Sequence, residues 1–213
     1  MPDVAEEVLA RGDADLISMA RPMLADADIV RKTLEGREDE INTCIACNQA
    51  CLDHTFTNRL TSCLVNPRAC RETELNYTPT ASSKTIAVVG AGPAGLAYAT
   101  TAAQRGHKVT LFDSASMIGG QFNLAKTIPG KEEFHETIRY FNRMLDVHGV
   151  DLRLNTRVDI DTIRAGRFDE VIISTGIEPR RPDIEGINHP MAVSYVDVIQ
   201  GRAAVGKKVA IIG

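Results

Sequence analysis

Residues 84–95 read Lys84-Thr85-Ile86-Ala87-Val88-Val89-Gly90-Ala91-Gly92-Pro93-Ala94-Gly95, and this stretch decides the fold. A β-branched run that stops on G-x-G-x-x-G predicts a buried strand from Lys84 to Val89 and a tight turn from Gly90 to Gly95. An alanine-rich helix from Pro93 to Gln104 follows. Gly106 fits a helix C-cap, and Lys108 to Phe112 predicts a second apolar strand ending at Asp113, 18 residues past Gly95. Strand, glycine turn, helix, strand and acid in this order form a dinucleotide-binding βαβ unit. The glycines let backbone approach a pyrophosphate at the helix N-terminus, where the dipole favours negative charge, and Asp113 is placed to accept from the ribose hydroxyls. An ordinary βαβ unit with a glycine turn is the competing reading, and it fits the full pattern less well. The expected fold class is α/β, with a parallel Rossmann-like sheet.

Two later segments favour FAD over a nicotinamide in this unit. Gly119-Gly120-Gln121 follows the acid closely, before a long excursion that suits the larger body of FAD. Val171-Ile172-Ile173-Ser174-Thr175-Gly176 is a β-branched strand running into Thr-Gly, with Pro179 soon after, and Gly176 allows a close backbone approach to the dinucleotide. Leu152 to Val158 alternates as a strand does, and Phe134, Ile138, Phe141 and Leu145 share one helical face closed by His148-Gly149.

Upstream, Cys44, Cys47, Cys51 and Cys63 follow the spacing C-x2-C-x3-C-x11-C. Three thiols within eight residues can wrap one inorganic cluster while a fourth closes the cage. Structural zinc sites more often use two separated C-x2-C pairs, so a four-iron four-sulfur cluster is the preferred reading. Zinc and no metal remain the alternatives. His54 is a possible ligand in a mixed site, although a histidine in a polar loop is usually solvated. Cys70 reads as a small half-buried residue. Five cysteines without a secretory signal point to a reducing cytoplasm rather than a disulfide framework.

Lys84-Thr85-Ile86-Ala87-Val88-Val89-Gly90 is echoed by Lys207-Lys208-Val209-Ala210-Ile211-Ile212-Gly213. The echo reads as the first strand of a second, truncated nucleotide domain, against the plainer reading of Lys208 to Ile212 as a last strand of the same sheet. The first forty residues predict a helix over Val4 to Ala10, a short strand over Ala14 to Met19, and an amphipathic helix from Leu24 to Leu34. This is the last βα unit of something larger, because so short a stretch cannot bury a core of its own. Arg21, between that strand and helix, stands where a (β/α)8 barrel holds a phosphate.

Taken together, Ser18-Met19-Ala20-Arg21-Pro22, the cysteine segments Thr43 to Cys51 and Ser62 to Pro67, and Gly119-Gly120-Gln121-Phe122 resemble the bacterial NADPH-dependent 2,4-dienoyl-CoA reductases. These belong to the trimethylamine dehydrogenase group of flavoproteins, with a barrel of the old yellow enzyme type, and the likeness covers nearly the whole chain. The resemblance implies the C-terminal remnant of an FMN barrel over 1–40, a cluster segment over 41–75, a linker over 76–83, an FAD domain over 84–206, and the first strand of a truncated NAD(P)H domain over 207–213. It implies that Ala20 and Arg21 lie near the FMN phosphate, that Cys44, Cys47, Cys51 and Cys63 hold a 4Fe-4S cluster, and that Gln49 faces the FAD. Gly90, Gly92, Ala94, Gly95, Asp113, Gln121, Lys131 and Val158 would contact FAD. Asp113 departs mildly from the longer Glu usual in this fold, and Lys131 also reads as an ordinary first-turn side chain. Hydride from NADPH or NADH would pass through FAD, the cluster and FMN to an unsaturated acyl-CoA. The family's catalytic tyrosine and histidine align with nothing here, so no catalytic residue is expected in this chain, and the isolated chain is expected to lack enoyl reduction.

The composition excludes other classes. The 213 residues are 44% hydrophobic with net charge −4 and no basic stripe, which argues against nucleic acid, and no apolar run is long enough to span a bilayer. A small-molecule substrate is the expected partner. Oligomeric state is left open. Two other assignments compete: an electron-input module like the small subunit of glutamate synthase, which normally carries about twice as many cysteines, or a non-enzymatic, zinc-stapled FAD-binding fragment.

Overall fold

The computed structural model describes residues 2–212. Thr85–Val89 forms strand β1, whose Ile86, Ala87 and Val88 are buried, as expected of a strand covered on both faces. The chain then makes a twelve-residue helix over Pro93–Gln104 and returns parallel to β1 as β2, Lys108–Phe112. Asp151–Arg153 forms β3 beside β2, and Glu170–Ile173 forms β4 on the other side of β1, giving the parallel order β3-β2-β1-β4. The order reverses direction at β1, so the carboxyl ends of β1 and β4 flank a topological switch point, where ligands bind in open α/β sheets.

Numbered along the chain, the helices are α1 Pro2–Ala10, α2 Arg21–Ala25, α3 Ile29–Leu34, α4 Leu52–Thr55, α5 Pro93–Gln104, α6 Phe122–Ala125, α7 Phe134–Val147, α8 Ile160–Gly166 and α9 Tyr195–Ile199. The core lies where α5 and α7 pack on one face of the sheet. It joins Ile86 and Val88 of β1, Leu96 and Ala99 of α5, Val109 and Leu111 of β2, Ile118, and Leu145 of α7. Ile138 and Phe141 of α7 pack against this cluster, so the shared helical face read from the sequence is the face that meets the core.

The cysteine segment is tied to the sheet domain through α7. Arg139 donates from Nη1 and Nη2 to the carbonyls of Asp39 and Ile41, and from Nε to Glu136 Oε2 at 2.7 Å. Arg143 Nη2 reaches Glu40 Oε1 at 3.2 Å, and Arg37 Nη2 donates to Glu40 Oε2 at 2.7 Å. Glu40 is 7% exposed, and these guanidiniums, Arg37 foremost, hold its carboxyl below the usual range against the opposing effect of burial. Tyr140, on the same helix, is pushed up to about 12, first by burial and then by Asp26.

Four elements differ from the sequence reading. Ala14 to Met19 forms no strand: none of its residues pairs with the sheet, and Leu16 is 83% exposed. The single helix from Leu24 to Leu34 is instead α2 and α3. Buried Asp26 ends α2 because its carboxylate turns back to accept from the Asp28 N–H (3.0 Å), Lys32 Nζ (2.6 Å) and the Asn42 N–H (2.8 Å). Leu152 to Val158 pairs only through Arg153, since Asn155 is left-handed (φ 51°) and the Asn155 and Thr156 N–H groups bond to the carbonyls of Ala115 and Asp113. Lys208 to Ile212 is not a strand in the described residues, having no strand beside it, and Ile211 is 93% exposed. Gly213, the end of the echo, lies outside the described residues.

Candidate functional site

The turn after β1 is built by its three glycines, each in a different role. At Gly90 (φ 108°) a Cβ would lie 2.3 Å from the Ser174 carbonyl oxygen, so only glycine lets β1 end against the chain leaving β4. At Gly95 a Cβ would lie 1.9 Å from the Gly90 carbonyl oxygen, which fixes how closely α5 descends on the turn. At Gly92, the N-cap of α5, a Cβ would meet nothing within 4 Å. That open space at the N-terminus of a twelve-residue helix is shaped for a phosphate.

Other segments close around this turn. Ser174 Oγ donates to the carbonyls of Val89 and Gly90 at 3.0 and 2.9 Å, joining the ends of β4 and β1. The Gly119 N–H donates to the Ala91 carbonyl at 2.7 Å, bringing the Gly119-Gly120-Gln121 loop onto the turn, and Gln121 Nε2 donates to the Ile177 carbonyl beyond β4. Asp113, at the end of β2, accepts from the Ala91 N–H at 2.7 Å and the Ala115 N–H at 2.8 Å, one on each oxygen. A carboxylate offers about four acceptor positions, so two remain for ribose hydroxyls. The residue set therefore fits a dinucleotide.

The other candidate residues are more scattered. Ala94 is exposed in the first turn of α5, Gly176 is exposed with φ 82°, and Val158 is half-buried just before α8. Lys131 is exposed, with Nζ 4.7 Å from the centre of the Phe134 ring. Gln49 is exposed, and Ala20 is the N-cap of α2.

Cys44, Cys47, Cys51 and Cys63 all line one cavity, together with Arg21, Leu24, Ile45, Asn48 and Val65. It is small and partly open to solvent. The loop between the first three thiols is wound tightly: Ala46 and Asn48, on either side of Cys47, are left-handed at φ 52° and 60°. For Ala46 this costs about 1 kcal/mol or more, a strain held by its surroundings. Burial pushes the Cys63 thiol up, while the backbone N–H groups of Val65 and Asn66 on its sulfur pull it down, as donors do that favour thiolate. Among the described residues no three His, Cys, Asp or Glu side chains converge closely enough for a single metal ion. His54 bonds through Nδ1 to the Leu60 carbonyl at 3.0 Å and is absent from the cavity wall. Cys70, read as half-buried, is exposed.

Sequence reasoning missed three contributors. Ser174 was visible only as part of a strand-end motif, and nothing local to Asn48 or Arg139 marks them. Asn48 matters because its left-handed backbone presents Oδ1 to Arg21 Nη1 at 2.7 Å, and Arg139 because it reaches a segment about a hundred residues away.

Residues 84–213 match the pyridine nucleotide-disulphide oxidoreductase family, and the chain belongs to it. The FAD and pyridine-nucleotide chemistry of that family agrees with the turn described above. The whole chain is 39% identical to the metal reductase of Desulforamulus reducens and 37% identical to the NADH oxidase of Thermoanaerobacter brockii, covering 32% and 34% of them. A solved 2-naphthoyl-CoA reductase in complex with 2-naphthoyl-CoA superposes with a TM-score of 0.93 at 40% identity, over 97% of this chain and 32% of that one. The chain thus spans about a third of the length of the relatives it matches. No helix among the described residues is long and apolar enough to cross a membrane.

Proposed function

We propose that this chain is the electron-relay part of an NAD(P)H-dependent iron–sulfur flavoprotein that reduces a conjugated acyl-CoA, with 2,4-dienoyl-CoA or a related enone as substrate class. The observation that carries this reading is the convergence of Cys44, Cys47, Cys51 and Cys63 on one cavity, in a chain that also holds an open phosphate turn at Gly92. Gly92, Asp113 and Gln121 would hold FAD, and Cys44, Cys47, Cys51 and Cys63 would hold a 4Fe-4S cluster; together these groups would supply two-electron uptake from a nicotinamide and its release as single electrons.

The chain's own residues do the positioning. Gly92 leaves room for a pyrophosphate, to which the first-turn amides of α5 would donate, and Asp113 would accept from the ribose. The four thiolates anchor the cluster, and the N–H groups of Val65 and Asn66 stabilise the charge on Cys63. Four thiols on one cavity wall, three of them within eight residues, favour a cluster over a structural zinc, which more often uses two separated C-x2-C pairs. Arg139 fixes the distance between the two sites by binding the carbonyls of Asp39 and Ile41, just before Cys44. The likeness to a reductase bound to an aromatic acyl-CoA supports the acyl-CoA class.

The test is an anaerobic preparation in which iron, acid-labile sulfide, zinc and released flavin are measured together. About four irons, four sulfides and one FAD per chain are expected. One zinc without sulfide overturns the relay and leaves a metal-stapled flavin module.

A further inference from the structure

We infer that Arg21 is a positioning residue for the cluster itself, its guanidinium setting how readily the four-cysteine site accepts an electron. This rests on the iron–sulfur reading above. Arg21 opens α2 and lines the same cavity as Cys44, Cys47, Cys51 and Cys63. Its Nη1 donates to Asn48 Oδ1 at 2.7 Å, and Asn48 lies between the ligands Cys47 and Cys51 with a left-handed backbone (φ 60°). The cation is therefore tied to the cysteine loop from a residue 27 positions earlier in the chain.

The charge balance gives this contact its consequence. Each electron taken up from reduced FAD adds one negative charge to a site already ringed by four thiolates, and no proton accompanies it. A fixed positive charge on the cavity wall stabilises the reduced form more than the oxidised one. Leu24, Ile45 and Val65 supply an apolar lining that limits screening on that wall, although Arg21 itself is exposed and its effect is correspondingly reduced. One Arg21 N–H is used by Asn48, and a guanidinium has five, so the same side chain can hold a phosphate on its other side. Arg21 would then couple an anion at the second flavin site to the cluster through a single rigid group.

The test is a mediated redox titration of the reconstituted chain, followed by electron paramagnetic resonance, with iron and sulfide measured on every sample. Arg21→Gln is expected to lower the reduced-to-oxidised ratio about tenfold at the wild-type midpoint, equivalent to about 59 mV for one electron. Iron and sulfide contents should not change. Arg21→Lys, which keeps the charge but loses the planar fork, should recover most of the shift. Asn48→Gly tolerates the left-handed backbone while releasing the guanidinium, and is expected to lower the ratio about threefold.

Wild-type potentials in Arg21→Gln overturn the inference. Should that variant fail to retain iron, Asn48→Gly decides, and an unchanged midpoint there overturns it equally. A wild-type chain that takes up no sulfide refutes the iron–sulfur reading itself, before any variant is compared.

Discussion

At Gly95 a Cβ would lie 1.9 Å from the Gly90 carbonyl oxygen, whereas at Gly92 it would meet nothing within 4 Å. Two glycines of one motif are thus required for different reasons, and substitution separates them. Gly95→Ala is expected to destabilise the fold by about 3 kcal/mol, because backbone must move, and a chemical denaturation curve would register it. Gly92→Ala should cost the flavin-free chain only about 1 kcal/mol, the N-cap preference for glycine over alanine, since its φ of −74° suits alanine. Its flavin affinity should nevertheless fall at least tenfold in a fluorescence titration, a loss of about 1.4 kcal/mol. Equal flavin affinity in the two proteins would remove Gly92 from the phosphate site. Among the cysteines, Cys51→Ala is expected to abolish sulfide retention while leaving bound FAD intact, and simultaneous loss of both would mean the two sites are not independent.

The link between the cysteine segment and α7 depends on Glu40, which is enclosed by Arg37 and Arg143. Replacing it with Gln removes the anion that the two guanidiniums share, leaving Arg37 with Glu35 and Arg143 with Asp39. Both guanidiniums are more than a third exposed and partly rehydrate, so the expected cost is about 1–2 kcal/mol rather than the larger value for a fully buried pair. The pH dependence has a definite sign. The folded carboxyl titrates below its ordinary value of 4.5, so its stabilisation is complete above that value and disappears as the pH falls through the lower, folded one. Thermal melts between pH 6 and pH 3 should fall more steeply for the wild type than for Glu40→Gln. Parallel curves would show that Glu40 contributes no docking energy. Asp26 acts at the same scale, since accepting the Asp28 and Asn42 N–H groups splits what helical periodicity alone reads as one helix.

For the whole molecule, β4 is an edge of the sheet, and its Val171 and Ile173 are exposed, the latter by 77%. Parallel strands are normally covered, and an uncovered edge favours pairing with another chain. The isolated chain is therefore expected to associate as its concentration rises, and Ile173→Lys should reduce that association in sedimentation velocity runs. Identical profiles for the two proteins would clear β4 of responsibility. Leu96, fully buried between α5 and the sheet, tests the core instead: Leu96→Ala is expected to cost about 2–5 kcal/mol.

The unit from β1 through α5 to β2 was legible in the sequence because its signals are local. β-branched runs, glycines and an acid at a fixed interval act through neighbouring backbone, so strand, turn and helix form where the residues stand. The crowding of Cys44, Cys47 and Cys51 on one cavity wall was legible for the same reason, their close spacing keeping them together. The strands read over Ala14 to Met19 and Lys208 to Ile212 failed because a strand exists only beside a partner, and no local pattern supplies one. The bond from Arg21 to Asn48, the grip of Arg139 on Ile41, and the meeting of Ser174 with Gly90 were likewise decided by the tertiary structure. Each joins residues 27 to about a hundred positions apart, and such pairs meet only after packing of α7 and the sheet has overcome the entropy of closing the chain between them.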